Sequence, residues 1–489
     1  MGSLTRTLLG KRGRAPSMSS LAPTRGRAGR SPPQSPEAGR FWPMLAVSFL
    51  SCHDGRRLVS SSVFPRMSAS SLPVAVLGGG IIGSCAAAYL RRAGHEVLLI
   101  DRGDPREATS FGNAGCLNGS SIVPVAMPGV LRHVPHWLLD PEGPLVLRWR
   151  YLPRLLPWLA RFVAAGTPER VAAQAGALRG LIAGSVEAYR ALAAEAGLGE
   201  LFEQRGHLVA YTSEQGHAGD AYAMSLREAN GIAVEEVPRA ALRELEPDLA
   251  DRFLRARMIR ETGHLSDPGA FVQGLKRDLL ARGGRIVDAQ VLGVIDNGAR
   301  LTGVATSAGT FEVKGAVVAL GAWSARLAAR LGDRVMLDTE RGYHLEVPQA
   351  AAGPRIPTLW SEAKIFSTPM AGRVRCAGTV EFAGLDAPPD WRRCTLLARQ
   401  LRRMYPALGA APEQAAGQAE LRWMGRRPST PDSLPVIGRA ARFENAVYAF
   451  GHGHIGLTAG APTGRLVAQL LSGERPSIDL APFSAARWR

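Results

Sequence analysis

The chain has 489 residues, 46% of them hydrophobic, and a net charge of +17, with five cysteines that show no CxxC spacing. That length exceeds one ordinary core and predicts at least two domains. The cysteine pattern excludes a disulfide framework and a zinc site and points to a reducing compartment, with Cys85 and Cys376 as small buried hydrophobes. The charge does not make a nucleic-acid binder: residues 1–71 alone contribute +9, no basic stripe with interleaved aromatics follows, and only four of the basic residues are lysines.

In chain order, residues 1–40 are dominated by Arg, Ser, Pro and Gly, a composition that buries too little apolar surface to offset chain entropy. Residues 41–52, FWPMLAVSFLSC, are apolar but too short to cross a bilayer. Residues 1–71 therefore read as a disordered leader, or as sequence ahead of a true start at Met67; their likeness to a transit or signal segment is superficial.

The next stretch, VAVLGGGIIGSCAAAYLRRAGHEVLLIDRG at 74–103, predicts a buried strand over 74–77, a turn over 78–83, a helix over 84–93 and a second strand over 97–100. Gly78, Gly80 and Gly83 fit GxGxxG. One glycine makes the turn, one lets a pyrophosphate approach the backbone, and one packs helix against strand. The backbone around Ile81 and Ile82 opens the helix towards phosphate. Asp101, with Arg102 beside it, ends the second strand, where a carboxylate accepts from both ribose hydroxyls and repels a 2′-phosphate, which disfavours NADP.

TSFGNAGCLNG, 109–119, reads as a loop laid against a flat ring, through Ser110, Asn113, Ala114 and Gly115. Residues 131–163 mix Trp, Leu and Arg with frequent Pro, a composition suited to a membrane interface or to packing a second domain; the prolines interrupt any single amphipathic helix. No run of 18 apolar residues exists to span a bilayer. Residues 284–295 read as a strand, 301–324 as a hairpin followed by a buried strand over 316–320 that ends in a turn at Gly321. Residues 447–471 read as strand, glycine turn and helix, with a second helix N-terminus aimed at something electron-rich.

These stations, in this order, resemble the FAD-dependent amino acid oxidoreductases, the family of D-amino acid oxidase, glycine and sarcosine oxidases and the bacterial D-amino acid dehydrogenases. The resemblance runs from about residue 72 to 474, and TSFGNAG followed by a Trp- and Pro-rich stretch is most similar to the D-amino acid dehydrogenase branch. It implies an α/β and α+β fold: a discontinuous Rossmann-like FAD-binding domain (72–125, 262–335, 415–474), a substrate domain on a mixed β-sheet (126–261, 336–414) and a C-terminal tail (475–489). Sheet strands are expected in 206–212, 341–347, 363–369 and 373–382. FAD would be held by the first turn, by Asp101, by the 109–115 loop, by backbone near Val291 and Gly321, and by the terminal turn of Gly451, Gly453, Ile455 and Gly456.

The same resemblance implies a substrate site. Arg427, in a GxRP-like signature, would clamp the substrate carboxylate, the bland alternative being a structural pair with Asp432. His454 would donate to the carboxylate or close the pocket. Tyr343 would offer its hydroxyl while its ring covers the flavin, or else be an ordinary buried core residue, with His344 pointing the other way. His452 and His454 have no third ligand, so no metal is expected. Lys364 falls in a strand resembling one that carries an oxygen-activating lysine in sarcosine oxidases, but quinone-linked relatives carry a lysine there too, so it does not discriminate between acceptors. The implied reaction is oxidative deamination of a small D-amino or imino acid by hydride transfer to flavin N5, with electrons passed to a quinone-type acceptor by a cytoplasmic enzyme peripheral to the inner membrane. The alternatives are a glycine, sarcosine or cyclic-amine oxidase using oxygen, and a noncatalytic flavin-bound subunit.

Overall fold

Val74–Leu77 is wholly buried and apolar, as a strand covered on both faces must be, and it pairs in parallel with Val97–Asp101 on one side and Gly315–Val318 on the other. The structure, a computed structural model, describes residues 72–489 apart from positions 133, 141 and 351; the reading of residues 1–71 as a leader or as sequence before Met67 lies outside the described residues. Arg285–Asp288 and Ala446–Phe450 extend this sheet in parallel, and Val436–Arg439 closes it antiparallel, giving six strands. The stretch read as one strand over 284–295 is in fact two: Arg285–Asp288 belongs to this sheet, while Val291–Asp296 turns away to form a three-stranded antiparallel sheet with Leu301–Thr306 and Gly309–Glu312.

The first helix, Ile81–Arg92, begins three residues earlier than its periodicity predicts, because Gly80 is its N-cap. Gly83 therefore lies inside the helix, where a Cβ would stand 1.8 Å from the Gly78 carbonyl oxygen. The last helix, Gly456–Ser472, runs beside it: a Cβ on Gly464 would stand 2.7 Å from the Cys85 backbone. Each helix follows a parallel strand of one sheet, so both N-termini open at the same sheet edge, the carboxyl ends of the strands.

A second sheet has nine strands of mixed direction. Its order is Arg422–Ser429, Asp338–Pro348, Arg373–Phe382, Ile365–Met370, Thr358–Trp360, His207–Tyr211, Arg255–Ile259 and Glu235–Pro238, with Leu145–Leu147 alongside the end of Arg373–Phe382. The four sequence-predicted strands all fall in it. Arg422–Ser429 also joins it, although the expected domain boundaries place that stretch among the nucleotide-binding segments. The described residues cluster as one compact unit. The C-terminal stretch packs onto it: Phe483 is buried and the Arg487 guanidinium pairs with Asp432 at 2.8 Å.

Residues 131–163 are interrupted by prolines, as expected, into Val134–Leu139, Leu145–Leu147 and Leu152–Ala165. Pro157 is the exception. It sits inside the third element, exposed on its outer face and close to its start. Among the described residues no helix is long and apolar enough to cross a membrane.

Candidate active site

A cavity of about 1820 Å³ lies between the two large sheets, bounded by the first glycine turn, the 109–114 loop, the backbone at 289–292 and the terminal turn. Neither helix that opens on it is capped by its own N-cap residue or carries an acidic residue in its first turn, so the N–H groups left free and the positive dipole ends are directed at whatever fills the space. Gly78, at φ +103°, holds a conformation and a closeness to Ala319 O that a Cβ would not tolerate, whereas a Cβ on Gly80 would meet only Ser110 Oγ at 3.5 Å. Ser110 Oγ accepts from Ile81 N at 3.2 Å and so ties the 109–115 loop to that turn.

Of the residues expected to hold cofactor, Gly78, Gly80, Ile81, Ile82, Asp101, Arg102, Ser110, Asn113, Ala114, Val291, Gly321, Gly453 and Gly456 line the cavity. Gly83, Gly115, Gly451 and Ile455 stand behind its wall instead. Gly83 sets helix against turn, Gly115 donates to Asn113 Oδ1 at 2.9 Å, Gly451 takes φ +81°, and Ile455 is buried in a neighbouring apolar cluster. Asp101 is paired with Lys276 Nζ at 2.8 Å, a partner nothing in the local sequence announces. His452, 2% exposed on the cavity wall, accepts or donates at Nε2 with Thr463 Oγ1 at 3.1 Å while its buried Nδ1 has no partner; burial pushes its imidazole down to about 3. A long cavity, two helix N-termini free of acidic residues, a glycine cradle and an unsatisfied ring nitrogen together fit FAD.

Arg427 enters this space from Arg422–Ser429, opposite Glu340 in register. Its guanidinium lies over Gly342, where a Cβ would come within 2.1 Å of Nη2, and Nη1 donates to the Thr379 carbonyl at 3.2 Å. Thr379 holds φ +61°, a strained conformation for a β-branched residue and one that aims this carbonyl at the guanidinium. The pairing with Asp432 is absent, since that carboxylate is taken by Arg487. Burial raises the Glu340 carboxyl, and the neighbouring guanidinium works against that rise. His454 projects into the cavity, its imidazole pushed down to about 4 by desolvation and then by Arg427, so it is neutral at physiological pH.

Tyr343 corrects the sequence reading. Its ring reaches the cavity wall, but its hydroxyl is committed on the other side, donating to Glu381 Oε2 at 2.5 Å and accepting from Asp390 N at 2.8 Å. Glu381 in turn holds Arg148 at 2.7 Å and Arg341 at 3.7 Å, so the tyrosine is part of a buried ionic cluster rather than a carboxylate donor. His344 does alternate to the opposite face, where it bonds Gly112 O at 2.9 Å and stacks on Trp423. Arg426 also turns away from Arg427, donating to Leu385 O at 2.7 Å with its guanidinium over Trp323. Lys364 lies in the turn before Ile365–Met370, not in a strand, at φ +56° with its side chain exposed on the cavity wall. Among the described residues no three His, Cys, Asp or Glu side chains gather as a metal site.

Sequence reasoning missed Gly342, Thr379 and Glu340. A glycine inside a strand, as at 342, is the one local signal that was available, since it marks a close approach.

The fold and this cavity define a two-sheet dinucleotide-binding flavoprotein. The family described as FAD dependent oxidoreductase matches residues 73–470, and the chain belongs to it. The chain is 43% identical over 418 residues, 85% of its length and 98% of the relative's, to a D-amino-acid oxidase of Bradyrhizobium diazoefficiens. It is 31% identical over 427 residues, 85% of this chain and 99% of the relative, to a D-amino acid dehydrogenase of the same bacterium. Among solved structures, glycine oxidase from Geobacillus kaustophilus shares the fold, with a TM-score of 0.66 over 85% of this chain and 98% of that one at 24% identity. The protein is an FAD-dependent oxidoreductase.

Proposed function

We propose that this enzyme oxidises the α C–N bond of a D-amino acid to an imine, which water converts to the 2-oxo acid and ammonia. The observation that carries the reading is Arg427: a guanidinium inside the cavity, given one protein acceptor among the described side-chain contacts, and so able to present a planar fork to a carboxylate. Similarity to a protein named D-amino-acid oxidase supports the D configuration. Bound FAD supplies the two-electron acceptor for the α C–H bond. The chain's own residues bind and orient. The zwitterion's carboxylate must be paired on leaving water, and Arg427 pairs it. Neutral His454 adds a hydrogen bond without a second charge, and Thr379 O and Gly342 hold the guanidinium in place. Orientation of this kind can supply much of the rate, with no general base required.

For the second half-reaction we favour a quinone-type carrier met at a membrane surface. Leu139, Trp149 and Leu156 are exposed in the same stretch as exposed Arg150, Arg154 and Arg161, the pairing of apolar and basic residues that suits an anionic lipid interface. Oxygen is the second reading, favoured by the name of the 43% identical relative. Anaerobic mixing with paired D- and L-amino acids, followed at the flavin absorbance, tests the first half: D-isomers bleach the flavin and L-isomers do not. Arg427→Ala raises the apparent KM at least a hundredfold with FAD retained, and an unchanged KM would remove it from the site. Stopped-flow reoxidation by air against a soluble quinone then separates the two acceptors.

A further inference from the structure

The cavity of about 1820 Å³ runs from the nucleotide turn past Arg427 to residues 123–168. Part of its wall away from the nucleotide turn comes from one excursion of the chain, residues 123–168, whose described lining residues are all apolar or tryptophan, whereas the rest, from 207–227 and 359–366, includes Asp220, Arg227, Glu362 and Lys364. Arg132, Asp140, Glu142, Arg148, Arg150, Arg154 and Arg161 belong to the same excursion, and none of them lines the cavity. Packing of a second domain alone explains buried apolar residues; it does not explain an apolar wall facing an open space. Leu159 and Phe162 are only half-buried because that space lies in front of them.

The wall is fixed relative to Arg427. Trp158 Nε1 donates to Ser429 O at 3.1 Å, two residues along the strand that carries Arg427. The Trp158 ring stacks on Phe162 at 5.3 Å and tilts against Phe382 at 5.6 Å. Phe382 is three residues beyond Thr379, whose carbonyl holds the guanidinium, and three residues of strand span about 10 Å. A carboxylate held on Arg427 therefore leaves a side chain of phenylalanine or leucine length to lie against Trp158, Phe162 and Leu159.

We infer that this apolar wall is the side-chain pocket of the enzyme, and that its preferred substrates are D-amino acids with aromatic or long aliphatic side chains. The inference rests on the reading of Arg427 as the carboxylate clamp and names the substrate class for that site. Each methylene buried there raises the specificity constant about tenfold or more, and a charged side chain laid against Trp158, Phe162 and Leu159 loses its hydration with no partner among them to replace it.

The test is anaerobic stopped-flow reduction of the holoenzyme by D-alanine, D-leucine, D-phenylalanine, D-aspartate and D-lysine, with Leu159→Ala and Phe162→Ala alongside. The expected result is a specificity constant for D-phenylalanine and D-leucine at least tenfold above D-alanine and a hundredfold above the charged pair. Each variant should keep its FAD and lower the D-phenylalanine to D-alanine ratio at least fivefold. D-alanine reducing the flavin as well as D-phenylalanine, or a ratio unmoved in both variants, would overturn the pocket while leaving Arg427 as the clamp. Variants that slow only reoxidation by a soluble quinone would make the wall an acceptor site instead and also overturn it. Failure of every D-amino acid to bleach the flavin would overturn the reading beneath it, and this one with it.

Discussion

The two large sheets bury different things. In the six-stranded sheet Val74–Leu77, Gly315–Val318 and Ala446–Phe450 are buried throughout and carry no charge. The nine-stranded sheet buries Arg341, Arg375, Glu381, His207 and His344 almost completely, each engaged by named partners. Burying paired charges adds little stability over an apolar core of the same volume. The difference therefore follows from what each sheet supports. The first needs only to hold its strand ends in line, whereas the second must hold a guanidinium and a wall at set positions.

Breaking an ion pair in the second sheet should have the largest effect. Glu381→Ala leaves Arg341 buried without its carboxylate and frees the Tyr343 hydroxyl, and is expected to cost about 3–5 kcal/mol in urea unfolding. A loss under about 1 kcal/mol would mean that the cluster is not stabilising. In the first sheet the sensitive element is steric. Gly83→Ala drives a methyl into the Gly78 carbonyl and should cost about 3 kcal/mol, with FAD content falling in step, read as the absorbance ratio of the purified protein.

Gly342→Ala sharpens the contrast because it touches function without touching the ionic cluster. Its methyl displaces the Arg427 guanidinium, so KM should rise ten- to a hundredfold while FAD stays bound. The smallest effect is pH dependence. Burial pushes His207 down to about 3, whereas the unfolded chain titrates near 6.5. Below pH 6.5 the unfolded state takes up a proton that the folded state refuses, so this stability is lost as pH falls from 6.5 towards 3. His207→Gln should flatten that slope, by roughly 1 kcal/mol between pH 6.5 and 5.5 in denaturant titrations.

Legibility differs between the sheets for the same reason. GxGxxG, the following helix and the acid at 101 lie within thirty residues, and each needs only its neighbours to act. The four predicted strands of the larger sheet are also readable, since alternation and β-branching are local. Where the sequence misleads, a distant partner decides. The resemblance aims Tyr343 at a ligand, but Glu381 and Asp390 N claim its hydroxyl from 38 and 47 residues away. Asp432 stands close enough in sequence to suggest a pair with Arg427, and Arg487 takes it from 55 residues away.

By itself, then, the amino-acid order determined a dinucleotide cradle and two helix ends, because glycine geometry, strand alternation and helix dipoles act over a few residues, while Arg427 was marked only by resemblance to a family signature. Only the tertiary structure decided which donors remain open to a ligand, that Gly342 is the seat of Arg427, and that an apolar wall stands beside it. Those are outcomes of competition among buried polar groups for partners, and such competition is settled by what packing brings within about 3 Å.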